Sequence, residues 1–535
     1  MKSIKLNLGS GKDYIDGWIN VDIEKQYHPD VVADITGTLP FKSDSVLEIK
    51  AFDILEHVTK QQAPRCVAEW HRVLKVGGIL RLRTPNMFAI IDAYRDDPEV
   101  MAHFLYGDTS ETGVHGAHKA GYTEKTLHRL LTLHGFSSIS IAEEDTNYLV
   151  TAVKSAHMFK DRLSIGIIQQ SADYGGAEVY MLRLMQEWKK AGHELHVATT
   201  LGDFEKASRK IASTVQTHGS IVDVIGDWKG LVKTILTLPY SYVVYWRILQ
   251  SMKEQHVDIL VMSEFSERLV VTPLAKLLGF QTVWIEYGRP HDTFKRMYPW
   301  SKILFRCVKD LPARIVTPTQ YVQKSLMIDG RVSLSKIDII PCGTALPLFK
   351  PMRKRNKAPI IACISRLTHE KGQADLLSAM ADVLKRHDAE LWIIGKGPDE
   401  YSYKKLARKL SIAEKVHFKG FVKNINEIYT QIDIAVFPST WELEGFGLVL
   451  IEAMAHGVPV IASAIGPVPE VIGDAALHYK PGDVKHLAHQ LEILLGNSFM
   501  QKTLHEEGFK RVKDHFTIDL SSSKMIESFR TALCE

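Results

Sequence analysis

The sequence predicts three doubly wound α/β domains in one chain, on three observations. Short apolar runs rich in Val and Ile alternate along it with longer segments of helical periodicity, the pattern of parallel sheets covered by helices. The alternation starts three times, at "IKLNLG" from Ile4, at "LSIGII" from Leu163 and at "PIIACISRL" from Pro359. A length of 535 residues is also more than one hydrophobic core organises. The expected domains are residues 1–158, 163–345 and 346–535, with the last helix packing back on the second domain.

In the first domain the strands are expected at "IKLNLG", "WINVDI", "DVVADI", "VLEIKAFDIL", "GILRLRTP", "SSISIAEE" and "NYLVTAVKS", seven in all. The polar, basic stretch "AHMFKDR" reads as a tether. "LPLFKPMRKRNKAP" reads as an exposed linker before the third start. No fixed-period repeat and no low-complexity tract interrupts this organisation.

Composition narrows the class. Hydrophobic residues at 45% and charged residues at 24% are ordinary for a globular protein, and no apolar run approaches the ~20 residues of a membrane-spanning helix. A net charge of +4 gives no clustered basic signal, and no nucleic-acid partner is expected. The five cysteines are scattered without a CxxC pair and no signal pattern opens the chain. The expectation is a reduced, cytoplasmic protein without a cysteine metal site.

The chemistry of the first domain begins at "LNLGSG". Gly9 and Gly11 end the first strand, where missing side chains let a ligand approach the backbone. Asp22 ends the second strand, where its carboxylate can accept from ribose hydroxyls, and Asp34 ends the third, where it can meet an adenine amino group. His57 follows the fourth strand as a candidate general base, or as a packing residue that caps the next helix. His115 and His118 in "VHGAHKAGY" read as a polar loop. No carboxylate partner is evident for them, so no metal site is expected.

Taken in order, "LNLGSG", "FDILEHV", "EWHRVLKVGGILRLRTPN" and "GYTEKTLHRLLTLHGF" resemble class I S-adenosylmethionine-dependent methyltransferases over nearly all of residues 1 to about 155. The resemblance implies a seven-stranded Rossmann-like sheet, with Gly9 and Gly11 around the methionine part of the cofactor, Asp22 on its ribose and Asp34 near its adenine. Asp22 follows Gly11 by only 11 positions, whereas dinucleotide sites place the acid ~20 residues on. The first crossover helix must therefore be cut short, which counts against a nicotinamide enzyme.

In the third domain "ISRLTHEKG" places Arg366 and Lys371 on the loop after a strand, two positive charges suited to a nucleotide diphosphate leaving group. "STWELEGFGLVLIEAMAHGVPVIAS" carries Glu444 and Glu452 with seven residues between them, across the Gly445–Gly447 turn. Carboxylates beside an apolar helix are costly unless they bind something. With Gly175 and Gly176, "IIGKGPDE", "FKGFV" and "PEVIGD", the pattern resembles family-four retaining glycosyltransferases of the two-domain GT-B fold, from Leu163 to the C-terminus.

That resemblance implies that Arg366 and Lys371 bind the donor diphosphate, Glu452 the nucleotide ribose and Glu444 the donor sugar. Gly175 and Gly176 approach the phosphates and the acceptor, and no metal serves sugar transfer, since no Asp-x-Asp pair occurs. Many relatives carry histidine where Tyr287 stands, and His291, four positions on, is the substitute sugar contact. "KGLVKTILTLPYSYVVYWRILQ", Lys229 to Gln250, reads first as a core helix interrupted at Pro239. The alternative is an amphipathic face that meets a lipid-linked acceptor at the inner face of a membrane.

The function so implied is bifunctional: a sugar moves from a nucleotide-sugar donor to a glycan or lipid-linked acceptor, and a methyl group moves from S-adenosylmethionine to the same or a related glycan. The alternative keeps the sugar transferase and makes the first domain a non-catalytic binding module. A nucleotide-sugar epimerase leaves the pairing of Arg366 and Lys371 with Glu444 and Glu452 unexplained.

Overall fold

The computed structural model describes every residue except 1–3, 60–61, 108–116, 156–161, 172–174, 220–221, 223–227, 297–298, 348–356, 423, 443 and 535. His115 and most of both connectors lie outside the described residues. The chain divides into two compact units, residues 1–161 and 162–533.

The first unit is built on β1 (Ile4–Leu8), β2 (Ile19–Asp22), β3 (Val31–Val32), β4 (Val46–Phe52), β5 (Leu74–Pro85), β6 (Phe136–Glu144) and β7 (Asn147–Lys154). They form one sheet in the order β3-β2-β1-β4-β5-β7-β6, parallel except for β7, which runs antiparallel to both β5 and β6. The apolar alternation of β1 and β4 buries Leu6, Leu8, Ile49 and Ala51 completely. Each large side chain so buried contributes about 1.5–3 kcal/mol. The helix Ala63–Val73 lays Val67 and Trp70 on that core.

Between β1 and β2 the chain makes only turns, and between β2 and β4 a single 3-10 turn, Lys25–Tyr27. The shortened crossover expected from the Gly11 to Asp22 spacing is thus no helix at all. Ten residues cannot rise along a parallel strand, turn and return with a helix between. The glycines make the short path feasible: Gly9 adopts φ 64°, and a Cβ there would stand 2.6 Å from Ile54 Cδ1.

The second unit contains two lobes. In the first lobe β8 (Ser164–Gln169), β9 (Glu194–Thr199), β10 (Thr214–Thr217), β11 (Ile259–Met262), β12 (Gln281–Ile285), β13 (Arg314–Thr317) and β14 (Ile337–Ile339) form a parallel sheet ordered β10-β9-β8-β11-β12-β13-β14. In the second, β15 (Ile360–Ile364), β16 (Glu390–Ile394), β17 (Val416–Gly420), β18 (Ile434–Phe437), β19 (Val460–Ser463) and β20 (Leu477–Tyr479) are ordered β17-β16-β15-β18-β19-β20. Both central strands, β8 and β11, are buried along their whole length, as strands covered on two faces must be. The order reverses at β8 and at β15, and loops leaving the carboxyl ends of strands at such points form ligand crevices. The final helix, Ile518–Cys534, lies against the first lobe: Phe529 meets the Trp188 ring edge-on at 5.3 Å, and Ser528 donates to Asp338 at 2.8 Å.

The expected interruption at Pro239 does not occur. Trp228–Glu254 is one helix with Pro239 inside it, and the Ser241 hydroxyl bonds the Thr237 carbonyl at 3.1 Å just beyond the proline. Nor is it an ordinary core helix. Tyr245, Leu249 and Met252 are buried, whereas Leu236, Tyr240 and Val243 are 75%, 59% and 51% exposed. No helix among the described residues is long and apolar enough to cross a membrane.

Candidate active sites

One site is a cleft of about 690 Å³ between the two lobes of the second unit. The second lobe supplies Arg366 and Lys371 from the loop that leaves β15, and Glu444 and the 445–447 glycine turn from the segment after β18. The first lobe supplies Gly175 and Gly176, which open the helix Gly176–Lys190, together with Tyr287. Gly445 has no room for a side chain: a Cβ would lie 1.8 Å from the Tyr287 carbonyl oxygen. Glycine here lets the donor-side turn close onto the facing lobe.

Lys371 Nζ lies 2.7 Å from Glu444 Oε2, each side chain 12% exposed, and 4.4 Å over the Trp441 ring. The ammonium is thus held between a carboxylate and a π face, beside Arg366. The pair is largely desolvated and faces the cavity, so an anion entering there would compete with Glu444 for the ammonium.

Glu452, expected with Glu444, is elsewhere. It sits in the helix Leu448–Ala455 outside the cavity lining, with one oxygen 2.5 Å from Arg183 Nη2 and the other accepting the Tyr429 hydroxyl at 3.0 Å. Arg183, which comes from the opposite lobe, would share the Glu452 carboxylate with any hydroxyl that reached it. His291 also lies apart: its Nδ1 is 3.0 Å from Asp329 and the residue does not line the cleft.

Sequence reasoning passed over Glu178, Glu264 and the Tyr287 hydroxyl. All three residues line the cleft. Glu178 accepts the Gly175 N–H at 2.9 Å, a capping box whose signal, the Glu of "GGAE", was legible. The buried Tyr287 hydroxyl has no partner among the described residues. Burial first, and then the charge of Glu178, pushes Glu264 up to about 7. Such an acid keeps its proton in the folded state at pH values where the unfolded chain has lost it. Its stabilising contribution is complete below the ordinary carboxylate range and is lost as pH rises through about 7. Glu264→Gln is therefore expected to be more stable than wild type at pH 8, by about 3 kcal/mol, and no more stable near pH 4. Unfolding by urea at the two pH values measures this; equal differences at both would contradict it.

In the first unit the Gly9 turn is tied to β2. Gly9 N–H donates to the Val21 carbonyl at 2.8 Å, and Gly11 N–H to Asp22 Oδ2 at 2.7 Å. The other Asp22 oxygen accepts the Glu24 N–H at 2.8 Å. Asp22 therefore shapes the turn as well as facing it. Asp34 is exposed, and one of its oxygens accepts both the N–H and the hydroxyl of Thr36 at 2.8 Å.

His57 donates from Nδ1 to the Ala117 carbonyl at 3.1 Å, since a carbonyl only accepts, leaving Nε2 with the lone pair. Burial lowers the pKa of both His57 and His118, and the rings meet edge-on at 4.9 Å. Next to them Glu56 is buried and pushed up to about 8, chiefly by burial. The carboxylate that the histidine loop lacked in the sequence is thus present, one residue before His57.

Comparison with known proteins follows the same division. A methyltransferase domain model matches residues 12–82, the Glycosyltransferase Family 4 model residues 174–346, and the Glycosyl transferases group 1 model residues 347–511. The MMP alpha-(1->4)-mannosyltransferase of Mycolicibacterium hassiacum is 28% identical over 244 residues, 45% of this chain and 59% of that protein. The N-acetyl-alpha-D-glucosaminyl L-malate synthase of Bacillus anthracis is 33% identical over 174 residues, 32% of this chain and 44% of that one. The chain thus spans about half the length of the curated relatives it matches. Among solved structures, a glycosyltransferase from Rickettsia africae superposes with a TM-score of 0.59 at 20% identity, covering 70% of this chain and 99% of its own. Anabaena HepE, solved with UDP, gives 0.57 at 17% identity, covering 68% and 99%.

Proposed function

From a chain that belongs to the family-four, group 1 glycosyltransferases of GT-B fold and carries a methyltransferase domain ahead of them, we propose a bifunctional enzyme. Its second unit transfers a sugar from a nucleotide-sugar donor to a glycan or lipid-linked acceptor with retention of configuration. Its first unit transfers a methyl group from S-adenosylmethionine to the same or a related glycan.

The observation that carries the sugar-transfer reading is the Lys371–Glu444 pair beside Arg366 in the interlobe cleft. In this reading the two cations take the diphosphate and stabilise the charge that grows on its departing oxygen. Glu444 then turns to the sugar hydroxyls. The acceptor hydroxyl attacks from the face the phosphate leaves, and its proton passes to the phosphate oxygen. Gly175 and Gly176 border the phosphates, Glu178 and Tyr287 face the acceptor side, and Glu452 binds the ribose.

The test is a screen of nucleotide sugars by thermal shift, followed by product analysis with the donor that binds. A ligand at a hundred times its dissociation constant stabilises by ~2.7 kcal/mol. A shift with a nucleotide sugar and release of nucleoside diphosphate into an acceptor-dependent product support the reading. Conversion of the donor to an isomer with no acceptor would replace it with an epimerase.

For the first unit, the glycine turn, Asp22 and His57 support methyl transfer. The absence of a crossover helix between β1 and β2, and an Asp22 carboxylate already engaged by two backbone amides, favour the second reading, a non-catalytic module. Calorimetry with S-adenosylmethionine separates the two.

The exposed stripe of Leu236, Tyr240 and Val243, with Trp246 and Arg247 next on the helix, supports peripheral contact with a lipid surface, where aromatic and basic side chains sit together. Leu236→Glu with Val243→Glu should then reduce co-sedimentation with anionic vesicles about tenfold. Equal sedimentation of variant and wild type would remove this contact from the proposal.

A further inference from the structure

We propose that the first unit holds a divalent transition-metal ion between Glu56, His57 and His118. A carboxylate oxygen and one ring nitrogen from each histidine lie within 4.8 Å of one another. The fold assembles them from separate places. Glu56 and His57 stand on the 3-10 turn Leu55–His57 that follows β4, and His118 comes from the loop before the helix Glu124–Leu133. That loop is fastened to the turn, because the N–H groups of Lys119 and Ala120 both donate to the Glu56 carbonyl, at 2.7 and 3.1 Å.

Two imidazoles and one carboxylate form the donor set of an open site, which leaves further positions on the ion for water or substrate. Zinc-type bonds of about 2.0–2.2 Å place neighbouring ligands roughly 3.0–3.5 Å apart. The trio therefore contracts on binding, and the half-exposed rings of His57 and His118 have the freedom to do it.

The surroundings are those that orient ligands. His57 Nδ1 donates to the Ala117 carbonyl. The Thr84 hydroxyl donates to Glu56 at 3.1 Å. Metal-bound histidines and carboxylates are held in this way, by carbonyls and hydroxyls that fix the tautomer and the ring plane.

The cluster also has a place beside the expected methyl donor. Ile54, two residues before Glu56, occupies the space against which Gly9 packs. An ion there would bind a sugar hydroxyl and lower its pKa. This role rests on the reading of the first unit as a methyltransferase; the site itself does not.

The test uses the full chain without a histidine tag, stripped with chelator, dialysed and titrated with Co²⁺ alone. Visible absorption of the bound ion should saturate at one equivalent and be abolished by Zn²⁺. His118→Ala and His57→Gln should each weaken binding by at least about 100-fold while leaving the thermal unfolding of the metal-free protein unchanged. Because Glu56 is buried, Glu56→Gln is the secondary variant, and the two histidine variants decide. No saturating band at one equivalent, or equal affinity in His118→Ala, would overturn the site. A bound ion with no methyl transfer would leave the site standing and refute only the proposed activity.

Discussion

Lys371→Ala is expected to lower the turnover of nucleotide sugar by about 10²–10³-fold, the loss of one preorganised donor to a developing oxyanion. The ammonium lies 2.7 Å from Glu444, in a pair whose side chains are each 12% exposed, so its charge is screened little by water. Removing it also leaves the Glu444 carboxylate without its cation in a poorly solvated place, and a pair broken in this way costs about 3–5 kcal/mol when fully buried. The kinetic effect must therefore be read against the melting temperature of the variant. Excess EDTA should leave wild-type sugar transfer unchanged, because in the proposed site Arg366 and Lys371 would do what a metal otherwise does for the diphosphate. Assay of released nucleoside diphosphate decides. A folded Lys371→Ala protein within about fivefold of wild type, or a wild-type reaction stopped by EDTA, would remove the proposed donor site.

What the sequence made legible follows from local physics. Glycines follow strand β1, and Arg366 and Lys371 follow the apolar run of β15, so apolar runs and turn chemistry alone place these residues at the carboxyl ends of strands. The seven strands of the first sheet were readable for the same reason, down to β3, which keeps only two residues.

What local pattern did not show depends on partners remote in sequence. Glu452 meets Arg183 across 269 positions, and nothing in an apolar helix announces an arginine on the facing lobe. His291 turns to Asp329 across 38 positions rather than into the cleft. The histidine loop looked like surface because its carboxylate, Glu56, lies on another strand's exit. The Trp228–Glu254 helix runs through Pro239, where packing of Tyr245, Leu249 and Met252 outweighs a local breaking signal.

Asp22→Ala is expected to weaken S-adenosylmethionine binding by at least about 100-fold and to leave sugar transfer near wild type. Asp22 is 7% exposed and ends β2. An ionised carboxylate offers about four lone-pair sites, and Gly11 and Glu24 N–H groups take two of them. The remaining two are what a ribose diol would use, and hydrogen bonds to a charged acceptor are each worth about 1.5–3 kcal/mol. The variant also loosens the Gly9–Gly11 turn, since two amide donors lose their acceptor, and both effects act against cofactor. Sugar transfer is spared for a different reason. The first unit's core, around Trp70 and Leu6, is a cluster distinct from those of the second unit, so local damage at β2 need not propagate. Titration calorimetry with the cofactor, run beside the nucleotide-release assay on the same preparation, separates the outcomes. Loss of both activities in a folded variant would mean a composite site. Undiminished cofactor binding would move the ribose contact away from Asp22, and no binding in wild type would reduce the first unit to the non-catalytic module.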